Sequence, residues 1–204
     1  MFAARQKHFY LCFLMKNIRH YIETITKVND EDWNLFTSKL QKKTFPKRTI
    51  LTDIGQVENY ISFIEKGVVR LLIPKNENED ELTFGFSFEN EFISAYESFL
   101  TQTPSIYQVE TLAKTHVLSI SYADLQEVYS KTLIGNLIGR LVAERQYLLK
   151  TKRTNSLLID SAEQRYLNLF TERPNLIKEI PLKYIASYIG VTPQSLSRIR
   201  KQIT

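Results

Sequence analysis

The sequence predicts an α+β fold: a small β-roll of jelly-roll type with flanking helices, then a long helix, then a C-terminal helix-turn-helix. Three observations carry the prediction. Short apolar runs separated by turn residues fill Lys42 to Ser121, the pattern of a small barrel or jelly roll. Apolar residues then recur at helical spacing from Leu133 onward. Last, IPLKYIASYIGVTPQSLSRIRK at Ile180–Lys201 holds two short helical patterns on either side of Gly190.

Taken in order, residues 1–14, with the apolar HFYLCFLM, read as an extension ahead of a natural start at Met15. A signal peptide fits less well, because Lys16 and Arg19 follow without a small-residue cleavage site. From Ile18 to Leu40 the spacing is helical: Ile22, Ile25 and Val28 recur every three residues, and Trp33, Phe36 and Leu40 follow at three and four. Asn29 or Asp30 is placed to cap the second of these helices, with Glu31 and Asp32 in its first turn. Trp33 reads as core.

In the β-rich block the runs are RTILTDIG, YISFIEKGVVRLLIP, LTFGFSF, EFISAY, YQVETLA and HVLSIS. Tyr60, Ser62 and Ile64 alternate, as do Val109, Thr111 and Ala113, so each set lines one face. Gly55 and Gly67 fall where the chain must reverse at positive φ. KNENEDE at Lys75–Glu81 reads as a solvated hairpin tip.

The third block is helical. Ser121 caps a short helix through Ala123, Leu125 and Val128, and a long helix begins near Leu133. Ile134, Leu137, Leu141 and Leu148 form one apolar stripe, and Ile138, Val142 and Leu149 a second beside it. One stripe can cover the roll and the other a sister helix, which predicts a homodimer through Ile134, Leu137, Leu141 and Leu148. Ser161 and Gln164 have capping-box spacing and start a helix carrying Tyr166, Leu167 and Phe170. Pro174 ends it, and residues 175–180 are expected to form a short strand. The expected domains are an extension at 1–14, a β-roll with flanking helices at 15–132, a dimerisation helix at 133–160 and a helix-turn-helix domain at 161–204.

Within the last stretch Leu182, Ile185 and Ile189 share one face, with Pro181 at a first helical position. Gly190 suits the left-handed turn, and Val191 plugs the angle. Thr192 caps the second helix and Pro193 opens it. Leu196 and Ile199 point inward, which leaves Gln194, Ser195, Ser197, Arg198 and Lys201 outside. Gln can pair with adenine and Arg with guanine, while Ser and Lys hold phosphates. The expected DNA-binding set is Thr192, Gln194, Ser195, Ser197, Arg198, Arg200 and Lys201, on double-stranded DNA.

Charge agrees. The chain carries +5 overall, but from Arg140 to the end 12 Lys and Arg stand against 5 Asp and Glu, while the remainder is slightly acidic. The positive field therefore belongs to the C-terminal third. Cys12 is the lone cysteine, which leaves no intramolecular disulfide and no cysteine zinc or iron–sulfur site within one chain. The three histidines are scattered, with no H-x-H pair, and no G-x-S-x-G elbow or P-loop occurs. The reading is of a non-enzyme with no catalytic residue, no metal, no certain cofactor, no membrane span and a cytoplasmic setting. A protein-binding regulatory module is the alternative.

Helix, β-roll, long helix and helix-turn-helix in this order resemble the catabolite-activator and fumarate–nitrate-reduction regulator (Crp/Fnr) family over Ile18 to Thr204. FIEKGVVRL at Phe63–Leu71 and GVTPQSLSRIRK at Gly190–Lys201 carry the resemblance. It implies a cyclic-nucleotide-binding-like roll that senses an effector, dimerising long helices and a winged-helix-like reading domain, here without wing strands after Thr204. RNA polymerase is a further candidate partner. The family's base-reading positions fall on Pro193, Gln194 and Arg198.

The sensor half departs from the family pattern. Cyclic-nucleotide binders carry a Gly-Glu pair and, further on, an Arg-Ser pair, because a buried phosphate wants an arginine fork and the ribose a carboxylate. The matching positions are Ser94-Ala95 and Ser105-Ile106. Glu97 and Arg70 are the substitutes to hand, and the base-facing positions of the long helix fall near Leu149 and Lys150. Arg70, Ser94, Ala95, Glu97, Ser105, Ile106, Leu149 and Lys150 thus make the expected effector pocket. Tight cyclic AMP binding is not expected, and the effector is unknown.

Overall fold

The computed structural model describes residues 18–20, 22–24, 26–74, 81–132 and 135–203. The 1–14 extension, Ile25, the helix start at Leu133, Ile134 and nearly all of the Lys75–Glu81 tip lie outside them. The chain forms two compact units, one running up to Leu71 and from Phe86 to Val142, the other combining Leu72–Gly85 with Ala143–Thr204.

In the first unit the N-terminal helical residues lead into α1 (Asp30–Ser38). Asn29 caps it, its side chain accepting from the Asp32 N–H at 2.7 Å. Ile18, Ile22 and Trp33 are buried with Phe63 and Leu118, and Val28, Phe36, Leu40, Phe92 and Ile138 pack around them. The tryptophan is therefore core, as its spacing predicts.

Eight strands follow: β1 (Gln41–Phe45), β2 (Ile50–Thr52), β3 (Tyr60–Lys66), β4 (Val69–Ile73), β5 (Leu82–Ser87), β6 (Phe92–Ile93), β7 (Gln108–Thr111) and β8 (Thr115–Ser121). They form two four-stranded sheets, ordered β1-β8-β3-β6 and β2-β7-β4-β5. Antiparallel β3 and β8 set Phe63 opposite Leu118 and Ile64 opposite Val117, four buried apolar side chains that close the roll. Gly67 turns at φ 121°, and a Cβ there would meet the Thr115 hydroxyl at 2.5 Å and its Cα at 2.8 Å. Gly55 also has positive φ, 81°, as its turn requires.

Two elements here differ from expectation. EFISAY yields only the two-residue β6, after which α2 (Tyr96–Thr101) turns helical and buries Ser98 and Phe99. Strand β1 comes from QKKTF, which has no apolar alternation. Its pairing with β8, Gln41 opposite Ser119 through Phe45 opposite Thr115, holds it through the backbone.

Helix α3 (Tyr122–Lys131) is capped by Ser121, which accepts from the Asp124 N–H at 3.1 Å. At its end the Thr132 hydroxyl donates to the Val128 carbonyl at 2.8 Å and accepts from the Gly135 N–H at 2.9 Å. That one side chain joins α3 to α4 (Gly135–Ile159).

The second unit contains the end of β4 and most of β5, the C-terminal part of α4, then α5 (Ala162–Glu172), α6 (Pro174–Glu179), α7 (Leu182–Tyr188) and α8 (Pro193–Ile203). Ser161 caps α5, accepting from the Gln164 N–H at 3.1 Å. The Gln164 side chain donates forward to Asn168 rather than back to the cap, so half of the capping box is made. Tyr166 and Leu169 are the buried residues of α5, and Phe170 is 47% exposed. The strand expected at 175–180 is instead α6. Pro174 stands at its first position, where the missing N–H costs nothing, and Leu176 is fully buried.

Candidate nucleic-acid interface and roll crevice

The sequence builds the α7–α8 corner from both sides. The Gly190 N–H donates to the Ser187 carbonyl at 3.1 Å and the Val191 N–H to the Ala186 carbonyl at 2.9 Å. This is the Schellman pattern, and it needs the left-handed φ of 76° that Gly190 adopts. Thr192 then caps α8, its hydroxyl accepting from the Ser195 N–H at 3.2 Å. Pro193 is the first residue of α8. Pro181, expected in that role for α7, is instead its N-cap residue, with ψ 137°.

Ile185, Ile189 and Leu196 are at most 1% exposed, and Leu176 is fully buried. Each contributes about 1.5–3 kcal/mol by leaving water, which fixes the angle of α8 against its neighbours. Leu182, expected on the inner face, is 45% exposed, because α7 begins there and the inner face is carried by Ile185, Ala186 and Ile189.

The spacing alone does not reveal two arginines that hold this corner. Arg165 on α5 donates through Nε to the Ile189 carbonyl at 2.7 Å and through Nη1 to the Asp160 carbonyl at 2.6 Å. Arg153 on α4 donates to the Tyr188 carbonyl and lies 3.8 Å over the Tyr188 ring. Both guanidinium groups thus satisfy carbonyls at the end of α7 that have no helical partner. Burial pushes the Arg153 pKa down, with Arg165 and Arg173 adding repulsion and Tyr188 opposing it.

On α8, Gln194, Ser197, Arg198 and Lys201 are exposed and fall at i, i+3, i+4 and i+7, a single face. Arg200 and Thr192 are exposed as well. Ser195 is half-buried, its hydroxyl 3.0 Å from that of Thr192, so it serves the cap. The face offers two amide or guanidinium forks and a terminal ammonium with no carboxylate among them.

In the first unit the second pair of cassette positions, Ser105-Ile106, borders an open crevice of about 210 Å3, lined also by Glu97, Ser98, Thr103 and Tyr107 among others. It brings together only Glu97, Ser105 and Ile106 of the expected effector residues. Arg70 is 2% exposed and pairs with Glu110 at 2.7 Å. The Ser94 hydroxyl donates to the Tyr60 carbonyl at 2.9 Å, and Ser105 to the Tyr107 carbonyl at 2.7 Å. Leu149 and Lys150 are exposed and belong to the second unit. A residue that the sequence did not single out stands at the centre of the cassette. The buried Glu58 carboxylate accepts from the Thr52 hydroxyl, from the Tyr60 N–H at 2.9 Å and from the Ala95 N–H at 3.4 Å. The chain's own acid therefore takes the amide at the start of α2.

Residues 42–132 match the cyclic nucleotide-binding domain family. No curated protein is significantly similar in sequence. Among solved structures, the c-di-GMP responsive global regulator CLP of Xanthomonas campestris is similar with a TM-score of 0.65 at 18% identity, covering 86% of this chain and 91% of that one. The catabolite activator protein of Thermus thermophilus has a TM-score of 0.55 at 15% identity, with 88% and 85% covered. A Crp/Fnr-family regulator from Eubacterium rectale has 0.63 at 15%, with 86% and 83% covered. The chain has the Crp/Fnr-type fold: a cyclic nucleotide-binding domain followed by a helix-turn-helix. No described helix is long and apolar enough to cross a membrane, and no described group of His, Cys, Asp and Glu is arranged to hold a metal.

Proposed function

We propose that this protein is a sequence-specific DNA-binding transcription regulator of the Crp/Fnr type, working in the cytoplasm as a homodimer on a two-fold-symmetric operator. The observation that carries the reading is the exposed face of α8, Gln194, Ser197, Arg198 and Lys201, set on a capped corner with a buried apolar core. Gln194 and Arg198 read base edges in the major groove. Ser197, Arg200 and Lys201 hold phosphates, and Thr192 and Ser195 fix the start of the helix. Ile134, Leu137, Leu141 and Leu148 are the proposed dimer seam, and a dimer of helix-turn-helix units reads two half-sites about 34–36 Å apart.

The roll serves as the sensor, without the phosphate cassette of cyclic-nucleotide binders. Ser105-Ile106 stands where an arginine would grip phosphate, Arg70 is engaged by Glu110, and Glu58 holds the Ala95 amide. Cyclic AMP is therefore expected to give no low-micromolar binding by calorimetry.

The test is selection of genomic fragments by the purified protein, with and without small-molecule extract of its own cells. A palindromic motif enriched only with extract supports an effector-gated regulator. Equal enrichment supports a regulator whose roll is a scaffold. No enriched motif, with no salt-dependent duplex affinity, leaves the protein-binding module as the better reading.

A further inference from the structure

The heptad register of α4 does not stop at Leu148. Counted in sevens with Ile134 as position a, the later a positions are Leu141, Leu148 and Asn155, and Glu144, Thr151 and Leu158 take d. Leu158 is one residue from the end of the helix at Ile159. A lone amide therefore sits at an a position, followed three residues on by a leucine at d.

The C-terminal part of α4 has two unlike sides. Arg153, at position f, lies over the Tyr188 ring and donates to its carbonyl. Leu157, at position c, comes within 3.5 Å of where a Cβ on Gly190 would stand. Positions f and c point away from the a/d edge of a helix, so packing inside the unit uses the far side of α4. On the a/d edge Leu148 is 65% exposed and Leu158 78%, and beside them Tyr147 is 70% and Ile159 80% exposed. Asn155, between them, is exposed as well. A purely apolar cover would bury that amide without a partner, which is costly. The complementary surface needs leucines at the same levels and an amide opposite Asn155. The same face of another copy of this chain has both.

We propose that this face closes on a second copy in a parallel, in-register pair, with Asn155 against the partner's Asn155. The inference rests on the homodimer proposed above and adds its orientation, its register and the residue that sets them. In register, one amide N–H donates to the other amide's carbonyl, and Leu158 meets its equivalent below. A slip of one heptad sets the amide against Leu148 and leaves it unpaired. A single Asn at an a position is known to select register and two-stranded pairing at a cost in stability.

The test uses the full chain with Cys12→Ser, which removes the lone native cysteine. Leu158→Cys should oxidise almost completely to a linked dimer, because equivalent d residues of a parallel pair face each other. Lys150→Cys, at a c position, should not. Adding Asn155→Leu to Leu158→Cys should raise the thermal midpoint yet lower the linked fraction at least about twofold, since other registers and orientations become populated. Asn155→Asp and Asn155→Lys should each weaken the dimer alone and restore it when mixed. A chain that sediments as a dimer but does not link through Leu158→Cys overturns this inference and leaves the homodimer standing. So does a linked fraction that Asn155→Leu leaves unchanged, or an absence of recovery on mixing. A chain that sediments as a monomer overturns both.

Discussion

Arg153 and Tyr188, 35 residues apart, are joined twice, by a hydrogen bond from the guanidinium to the backbone carbonyl and by stacking of the guanidinium over the ring. The pair ties the long helix to the last turn of α7. It therefore fixes the point from which α8 departs. Replacing Arg153 by Met should destabilise the protein by about 1.5–3 kcal/mol, the usual worth of a hydrogen bond from a charged group. Urea unfolding measures it. Arg153→Lys should recover little, because an ammonium lacks the planar fork that stacks and donates together.

On the proposed reading face, two replacements should separate specificity from grip. Arg198→Ala is expected to cost about 1–3 kcal/mol on the selected operator and to relax preference at one base pair. Lys201→Ala should weaken all sequences alike and lower the salt slope by about one. Fluorescence anisotropy on the operator and on scrambled duplex, at several salt concentrations, checks both.

Two glycines with positive φ should differ in their tolerance of a methyl group. At Gly55 a Cβ meets nothing within 4 Å, so Gly55→Ala carries only the backbone term of about 1–2 kcal/mol. At Gly67 the same change sets a carbon 2.8 Å from the Thr115 Cα, and β8 must shift. Thermal midpoints should therefore fall much further for Gly67→Ala.

Glu65 gives a pH dependence of definite sign. It is buried, and neither carboxylate oxygen has a hydrogen-bond partner among the described residues. Burial raises its pKa, while Lys42 at 3.7 Å and, more weakly, His116 oppose the rise. The folded state thus holds this proton more tightly than the unfolded chain. Its contribution is most favourable below the ordinary carboxylate range and is lost as pH rises through the folded pKa. Glu65→Leu should remove that dependence and raise stability at pH 7.5 by on the order of 1 kcal/mol. Denaturation midpoints between pH 4 and 8 report the outcome.

The proposed dimer seam predicts its own variant. Leu148 is 65% exposed on α4, beside Leu149 at 54%. Leu148→Glu should shift sedimentation toward the monomer without lowering helix content, and operator affinity should fall with it.

Much of this was legible in the sequence because capping is local. Ser121, Ser161 and Thr192 each cap the helix that their spacing predicts, and Asn29, one of two candidates, caps α1. The corner glycine was legible for the same reason. What escaped was short or held from a distance. Helix α6 is six residues long, too short for a 3.6-residue period to separate it from a strand. Strand β1 is polar, and a partner more than seventy residues away orders it. Glu58 reads as a loop acid until Ala95, 37 residues on, donates to it. Arg153 likewise looks like one more surface charge of a basic segment.

Ser187 accepts from the Thr83 N–H at 2.8 Å and donates to the Glu81 carbonyl at 2.9 Å, so α7 is fastened to the Leu72–Gly85 segment of its own unit. The helix-turn-helix unit is thus discontinuous along the chain, and this bears on how such proteins can be shuffled. A recombination joint at residues 142–143 would transplant the helices but leave their hairpin behind with the donor, stripping Ser187 of both partners. A chimaera that keeps this unit intact has to carry Leu72–Gly85 across as a second insert.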